Sequence, residues 1–358
     1  MTLYWLLLMV PWLAAIGKPR FVGFAPAEHS LTFGLLLYFV MLVLIVGLRH
    51  QVGGDWYSYL NMVDAALQQS FEGAMAEPGD TAYKALTWIS VQSGTGIYGV
   101  NLVCAFLFAY GLLVFCRNSP RPWLSIAVAV PYLVIVVAMG YTRQGVAIGL
   151  IMLALAALDN SKMLTFGVWV VVASLFHKTA LIMIPMAIFS GRKNWVAILG
   201  VLLTGLLMFY LLLVEYIETF VVGYIDTQYA SSGATVRIAM NALPAFVFLI
   251  FRSKFNLTEA QRVFWSWMSI WGLIFIFLLA MSPSSTAVDR VALYWIPLQL
   301  YVLSRWPAAM AQAHNAQLPW VAVVLAYSLA VQFIWLFYAD HSGAWVPYQF
   351  YPWVWLWQ

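Results

Sequence analysis

Twelve apolar runs with few charges divide the chain, at about 3–16, 31–48, 97–116, 123–140, 144–158, 163–176, 178–190, 195–215, 237–251, 263–281, 290–304 and 319–338. They are unbroken rather than alternating, which predicts helices and argues against a closed β-barrel. Several fall short of the roughly 20 residues that a perpendicular membrane span needs. The run 163–190 has two readings: one long helix with His177 in the middle, or two short helices that break there.

Charge decides between them. With two short helices, one side of the membrane receives "GKPR", "RNSPRP", "DNSK", "GRKN", "FRSKFNLTEAQR" and "SRWP". That side holds Lys18, Arg20, Arg117, Arg121, Lys162, Arg192, Lys193, Arg252, Lys254, Arg262 and Arg305, against only Glu28, Asp159 and Glu259. Of the 17 basic and 13 acidic residues, six basic and ten acidic are left for the other side. This is the positive-inside pattern, and fusing 163–190 into one helix destroys it. About twelve membrane segments with both chain termini outside are therefore expected.

Composition makes lipid the solvent. The 358 residues are 64% hydrophobic and only 8% charged, with a mean hydropathy of +0.87, where a soluble domain carries about a quarter charged residues. A larger core cannot absorb the difference, because single cores stop growing at about 250–300 residues. The expected fold class is an all-α polytopic membrane protein with a cavity on the outer side, built as one domain over 1–358. Its sizeable outer parts are 49–96, ending in an amphipathic interfacial helix within "TAYKALTWISVQSGTG", and 216–236. The first run, "LYWLLLMVPWLAAI", lacks a basic flank and a small-residue cleavage site, so it reads as a retained helix. The net charge of +4 reports topology, not a nucleic-acid partner. Cys104 and Cys116 fall in one apolar run and suggest neither a disulfide framework nor a zinc site. No phosphate loop, HExxH or Asp-x-Asp pair occurs, so no cofactor, metal or ATP use is expected.

That topology gathers the unusual polar residues on the outer face. Arg49, Arg143, Arg237 and Arg290 each sit at an outer helix end; one alone is readily explained by snorkelling or a local ion pair, but four together suit a diphosphate or carboxylate. Asp55 follows paired glycines in "RHQVGGDWYSY", where Trp56, Tyr57 and Tyr59 offer flat faces and hydroxyls for a sugar as well as an interface belt. His177, beside Lys178, sits at the apex between two apolar halves and is either a packing residue or a proton acceptor. Asp289 and Arg290 are either a local ion pair or part of the same site. The C-terminal "WVPYQFYPWVWLWQ" reads largely as an aromatic interface anchor that could also wall a cavity.

These stretches, in this order, resemble the EpsG family of Wzy-type bacterial polysaccharide polymerases. The matching pieces are "RHQVGGDWYSY" (Arg49 to Tyr59), "TRQGVAIGL" (Thr142 to Leu150), "HKTALIMIP" (His177 to Pro185) and "DRVALY" (Asp289 to Tyr294). Lys178 departs from the small residue or proline expected after the histidine. The resemblance implies a glycosyltransferase of the bacterial inner membrane that works on the periplasmic face. Such an enzyme moves a growing glycan from undecaprenyl diphosphate to the non-reducing end of a lipid-linked repeat unit, alongside a flippase and a chain-length regulator. Arg143, Arg237 and Arg290 would then meet the departing diphosphate, with Arg49 next, or holding Asp55. Asp55 or His177 would take the acceptor proton, and Gln144, Tyr141, Lys178, Asp289 and Tyr294 would complete the substrate contacts. Two other classes compete: a flippase or transporter, which would line a pathway across the midplane with charge, and a glycan ligase or acyltransferase.

Overall fold

A computed structural model describes residues 1–17, 32–190, 195–213, 233–282 and 284–356. Lys18, Arg20, Glu28, Arg192 and Lys193 of the counted loops, and most of the outer part 216–236, lie outside these residues. The described residues of each of the twelve apolar runs are largely helical. The elements are α1 (Thr2–Ala15), α2 (Phe33–Gly47), α3 (Trp56–Leu67), α4 (Phe71–Ala76), α5 (Thr81–Gln92), α6 (Gly96–Arg117), α7 (Pro122–Ala129), α8 (Thr142–Asp159), α9 (Met163–Phe176) and α10 (Trp195–Leu213). Then come α11 (Ala234–Phe251), α12 (Glu259–Met281), α13 (Ser285–Ala292), α14 (Ile296–Met310), α15 (His314–Tyr338) and α16 (Tyr351–Leu356). Five of these, α6, α8, α11, α12 and α15, are long and apolar enough to cross a membrane by length and composition. Shorter apolar helices occupy six of the other seven runs, and the run 290–304 covers the end of α13, a 3-10 turn and the first part of α14.

The run 163–190 does break at His177. The helix α9 stops at Phe176, His177 is extended (φ −158°, ψ 110°), and a 3-10 helix spans Lys178–Phe189 with Pro185 inside it. The run 123–140 changes geometry instead: α7 passes into a π-helical stretch, Val130–Ala138, at Pro131. Proline has no N–H for the α-helical ladder, so this is where the ladder can widen. Trp345 donates through Nε1 to the Ile135 carbonyl in that stretch, at 2.8 Å.

α8 is the central column: of Thr142 to Leu158, only Arg143 is not buried. Close approach of α6 makes this possible, because Gly111 and Gly149 face one another with their backbones in contact and leave no room for a Cβ on either. On the outside, α10 and α15 present Leu199, Leu206, Phe333 and Phe337 to their surroundings, as lipid-facing helices do.

Helix ends gather at two opposite poles. At one, Arg121 bonds the Ala15 and Gly17 carbonyls and Gln317, while Arg305 reaches the Asn118 carbonyl and Ser119. At the other, Arg49, Thr142, Arg143, His177, Arg237 and Arg290 come together, as detailed below. The described residues at the first pole belong to "RNSPRP" and "SRWP" and their neighbours. The α5 helix is present where an interfacial helix is expected, but it docks on α6 and α9 with Tyr83, Thr87, Ser90 and Val91 inward. The C-terminal segment is more than an anchor. Its backbone pairs with the 48–53 loop through His50 N to Gln349 O, Gly53 N to Ala344 O and Tyr351 N to Leu48 O, and Trp345 is buried behind that loop.

Candidate active site

The centre of the polar pole is Asp80, which initiates α5 as its N-cap and is 5% exposed. Its Oδ2 accepts from Arg143 Nη1 at 2.9 Å, and its Oδ1 accepts from the Lys178 backbone N–H at 3.1 Å. His177 Nδ1 stands 3.7 Å from Oδ2, beyond hydrogen-bond distance. One carboxylate thus ties the start of α8 to the break between α9 and the 3-10 helix. That break is what frees the Lys178 N–H and turns His177 out of its helix. Burial alone would push the Asp80 carboxyl up. The His177 contact, the Arg143 charge and the Lys178 amide outweigh it and hold the group below the usual carboxylate range.

Arg143 is the one partly exposed residue at the head of α8, with a third of its side chain accessible. Its guanidinium lies 5.9 Å from the Tyr59 ring centroid and 6.0 Å from that of Tyr83, which limits its swing. One residue further along α8, Gln144 is buried and donates to the Arg290 carbonyl at 2.6 Å. Arg290 itself lies flat over Tyr141, 4.0 Å from the ring centroid. Among the described residues no carboxylate comes within ion-pair distance of it.

The pair suggested by Asp289 and Arg290 is formed differently. Asp289 is clamped in fork geometry by Arg237, with Nε to Oδ1 at 2.7 Å and Nη2 to Oδ2 at 2.8 Å. Neighbours in a helix point about 100° apart, so Asp289 turns to α11 while Arg290 turns to α8 and Tyr141. Tyr294 is buried in the turn after α13 and shares a hydrogen bond with Thr179 Oγ1 at 3.1 Å.

The stretch 49–59 divides into scaffold and site. Arg49 is 1% exposed. It donates to the carbonyls of Val46 and Val52, to Asn101 Oδ1 and to Thr142 Oγ1, at 2.6 to 3.2 Å. That bonding knits α2, α6 and α8 and uses each nitrogen of the guanidinium inside the protein. Gly53 has φ +110°, and a Cβ there would sit on the Met139 carbonyl, so only glycine closes this turn. Trp56 and Tyr59, three residues apart, face inward and are buried. Tyr57, 66% exposed, faces outward, so the three rings do not share one platform. Asp55 starts α3 without a side-chain capping bond and is partly exposed. Burial pushes its carboxyl up, and the charges of Arg290 and Arg143, a bond from Tyr59 and the His177 charge pull it back only in part.

Asp80, Arg143, His177, Lys178, Asp55, Arg290, Gln144 and Tyr141 therefore form one neighbourhood. Arg237 with Asp289, and Tyr294 with Thr179, flank it, and Arg49, Trp56 and Tyr59 stand behind it. Asp80 is the residue that motif reading passes over. A signal exists: "GGDWYSY" and "PGDTAY" both place Gly-Asp directly before a helix with a tyrosine one turn in, and those tyrosines, Tyr59 and Tyr83, pack with ring centroids 5.5 Å apart.

The family model that matches is described as the EpsG family, over residues 32–350. Comparison with curated proteins and with solved structures gives no match. The matched span contains every residue of the polar neighbourhood and every helix but α1 and α16, and on that extent the chain belongs to the EpsG family.

Proposed function

We propose that this membrane protein is a glycan polymerase. It transfers a growing glycan from undecaprenyl diphosphate to the non-reducing end of a lipid-linked repeat unit, on the periplasmic face of the inner membrane. Membership of a family of polysaccharide-polymerase type supports the class of activity. The observation that supports this site is Asp80, which holds Arg143, His177 and Lys178 together beside Arg290 and Asp55.

In the step proposed, the anomeric C–O bond to the diphosphate breaks and a bond from the acceptor hydroxyl oxygen to that carbon forms. The electron pair leaves on the diphosphate, and the hydroxyl proton passes to a base. Arg143, Arg290 and Lys178 carry fixed positive charge to the side where the diphosphate anion develops, the kind of electrostatic stabilisation with the largest leverage on such a barrier. Neither Arg143 nor Arg290 need reorganise: Asp80 and two tyrosines fix the first, Gln144 and Tyr141 the second. His177 is the base in this reading, with Asp80 orienting its Nδ1 side so that Nε2 meets the hydroxyl. Asp55 is the other acceptor within the neighbourhood. Arg237 and Asp289 set the wall of the site, and Arg49 positions the 49–55 loop. The reaction uses neither metal nor ATP, and a flippase and a chain-length regulator act before and beside it.

Changing Asp80 to Asn or His177 to Ala tests this in cells that export single repeat units. The polymer ladder should vanish while one-repeat glycan still reaches the surface. Retention of the full ladder in both, or repeat units trapped inside as a flippase defect would leave them, removes the site.

A further inference from the structure

Beside the polar neighbourhood runs an apolar groove of about 520 Å³, between the 3-10 helix and α10. Its 3-10 wall consists of Lys178, Leu181 and Ile184 together with Thr179, Ile182 and Pro185. These are two adjacent columns at a spacing of three residues. A 3-10 helix has three residues per turn, so such columns run straight along the axis instead of winding around it. At about 2 Å of rise per residue, the furrow from 178 to 185 is about 14 Å long. The facing wall is Leu202, Gly205, Leu206 and Phe209 of α10, one face of an α-helix. Gly205 lets that wall approach Ile184 closely.

The two ends and the open side differ in chemistry. Ile182, Leu206 and Phe209 are 39%, 64% and 45% exposed, so the furrow opens sideways toward lipid. Its head is polar: Lys178 and Thr179 adjoin His177, and Val291, which closes that end, adjoins Arg290. The Lys178 N–H bonds Asp80, and Thr179 bonds Tyr294. A molecule with a hydrocarbon tail in the furrow would therefore carry its headgroup into the cationic side of the candidate site.

We infer that this furrow holds the polyprenyl tail of the donor, entering sideways from the bilayer, with the diphosphate at Lys178, Arg143 and Arg290. The assignment rests on the polymerase reading for its occupant. A single straight furrow suits one chain, and the positive head suits a phosphorylated one. It also gives the 3-10 geometry a purpose, since a regular α-helix would wind the same apolar residues away from a straight chain.

The test uses the full chain in nanodiscs and a diazirine-bearing polyprenyl phosphate that has no sugar, so it reads binding whether or not glycan is made. Crosslinks should map to 181–185 and 202–209 and be competed by undecaprenyl phosphate. They should fall about tenfold in Leu206→Trp, which fills the furrow from its lipid side and displaces roughly two methylenes' worth of contact. Leu203→Trp, on the same helix but outside the furrow lining, should keep the labelling. Labelling elsewhere on the chain, unchanged labelling in Leu206→Trp, or equal labelling of the furrow by a diazirine phosphatidylglycerol overturns the inference. An Asp80→Asn protein that still polymerises would instead overturn the site while leaving furrow labelling as it was.

Discussion

A carboxylate buried as deeply as Asp80 is tolerated only when donors and opposite charge surround it, and its surroundings are Arg143, His177 and the Lys178 amide. Because its folded-state carboxyl is held below the ordinary value of 3.8, it stabilises the fold above that pH, and the contribution is lost as pH falls further through the folded value. Asp80→Asn should therefore lower the melting temperature at pH 7 by an amount corresponding to about 1–3 kcal/mol. The gap from the parent protein should close as both are titrated below pH 3.8. Two arginines of the same motif set should behave oppositely. Arg49→Ala removes a guanidinium bonded to four acceptors in the interior, and should cost about 3–5 kcal/mol of stability, read as loss of the folded, monodisperse protein. Arg290→Ala should fold normally and lose about a hundredfold or more of polymerising activity. The four arginines and His177 were legible in the sequence because charge in an apolar run stands out. Their division of labour was not, since burial decides it. Asp80 was hidden for the converse reason: an acid in a polar loop is ordinary until the fold shows it buried.

At the scale of elements, apolar runs predict helices well because a chain in lipid must satisfy its backbone within the segment. Which kind of helix forms is a tertiary matter. The π-helical stretch after Pro131 has Trp345, more than two hundred residues later, bonded to one of its carbonyls. The long 3-10 helix after His177 has α10 packed along it, and neither partner is local. The role of the C-terminal segment behind the 48–53 loop was equally out of reach, because aromatic density reads as an interface belt whatever it packs against. Packing of α6 on α8 gives the clearest element-level prediction. Gly149→Leu should abolish folded protein, as the added side chain meets the Phe108 backbone. Gly200→Ala, on α10 with open space around it, should be tolerated. Fluorescence-detected size exclusion of the two variants distinguishes them.

For the whole molecule, the described residues Arg121 and Arg305 hold helix ends together at one pole, and Arg143, Arg237 and Arg290 gather at the other. The topology expected from charge, with the candidate site outside, is open to a labelling test. Both native cysteines are buried, so introduced ones can be labelled against little background. In intact cells with a permeable outer envelope, Ser58→Cys should react with a membrane-impermeant maleimide, and Ser253→Cys should react only after lysis. What the chain acts on could be approached from sequence only through resemblance, because the polar neighbourhood is assembled from residues of α3, α5, α8, α13 and the break at His177, which are far apart in the chain. The most direct measurement is the glycan ladder made by purified protein reconstituted with a lipid-linked repeat unit, with no metal and no nucleotide added. The parent chain should extend the repeat unit into a ladder and release undecaprenyl diphosphate in step with it, while folded Asp80→Asn and His177→Ala leave the repeat unit unextended. A parent chain that makes no ladder, or variants that make the same one, would contradict the account.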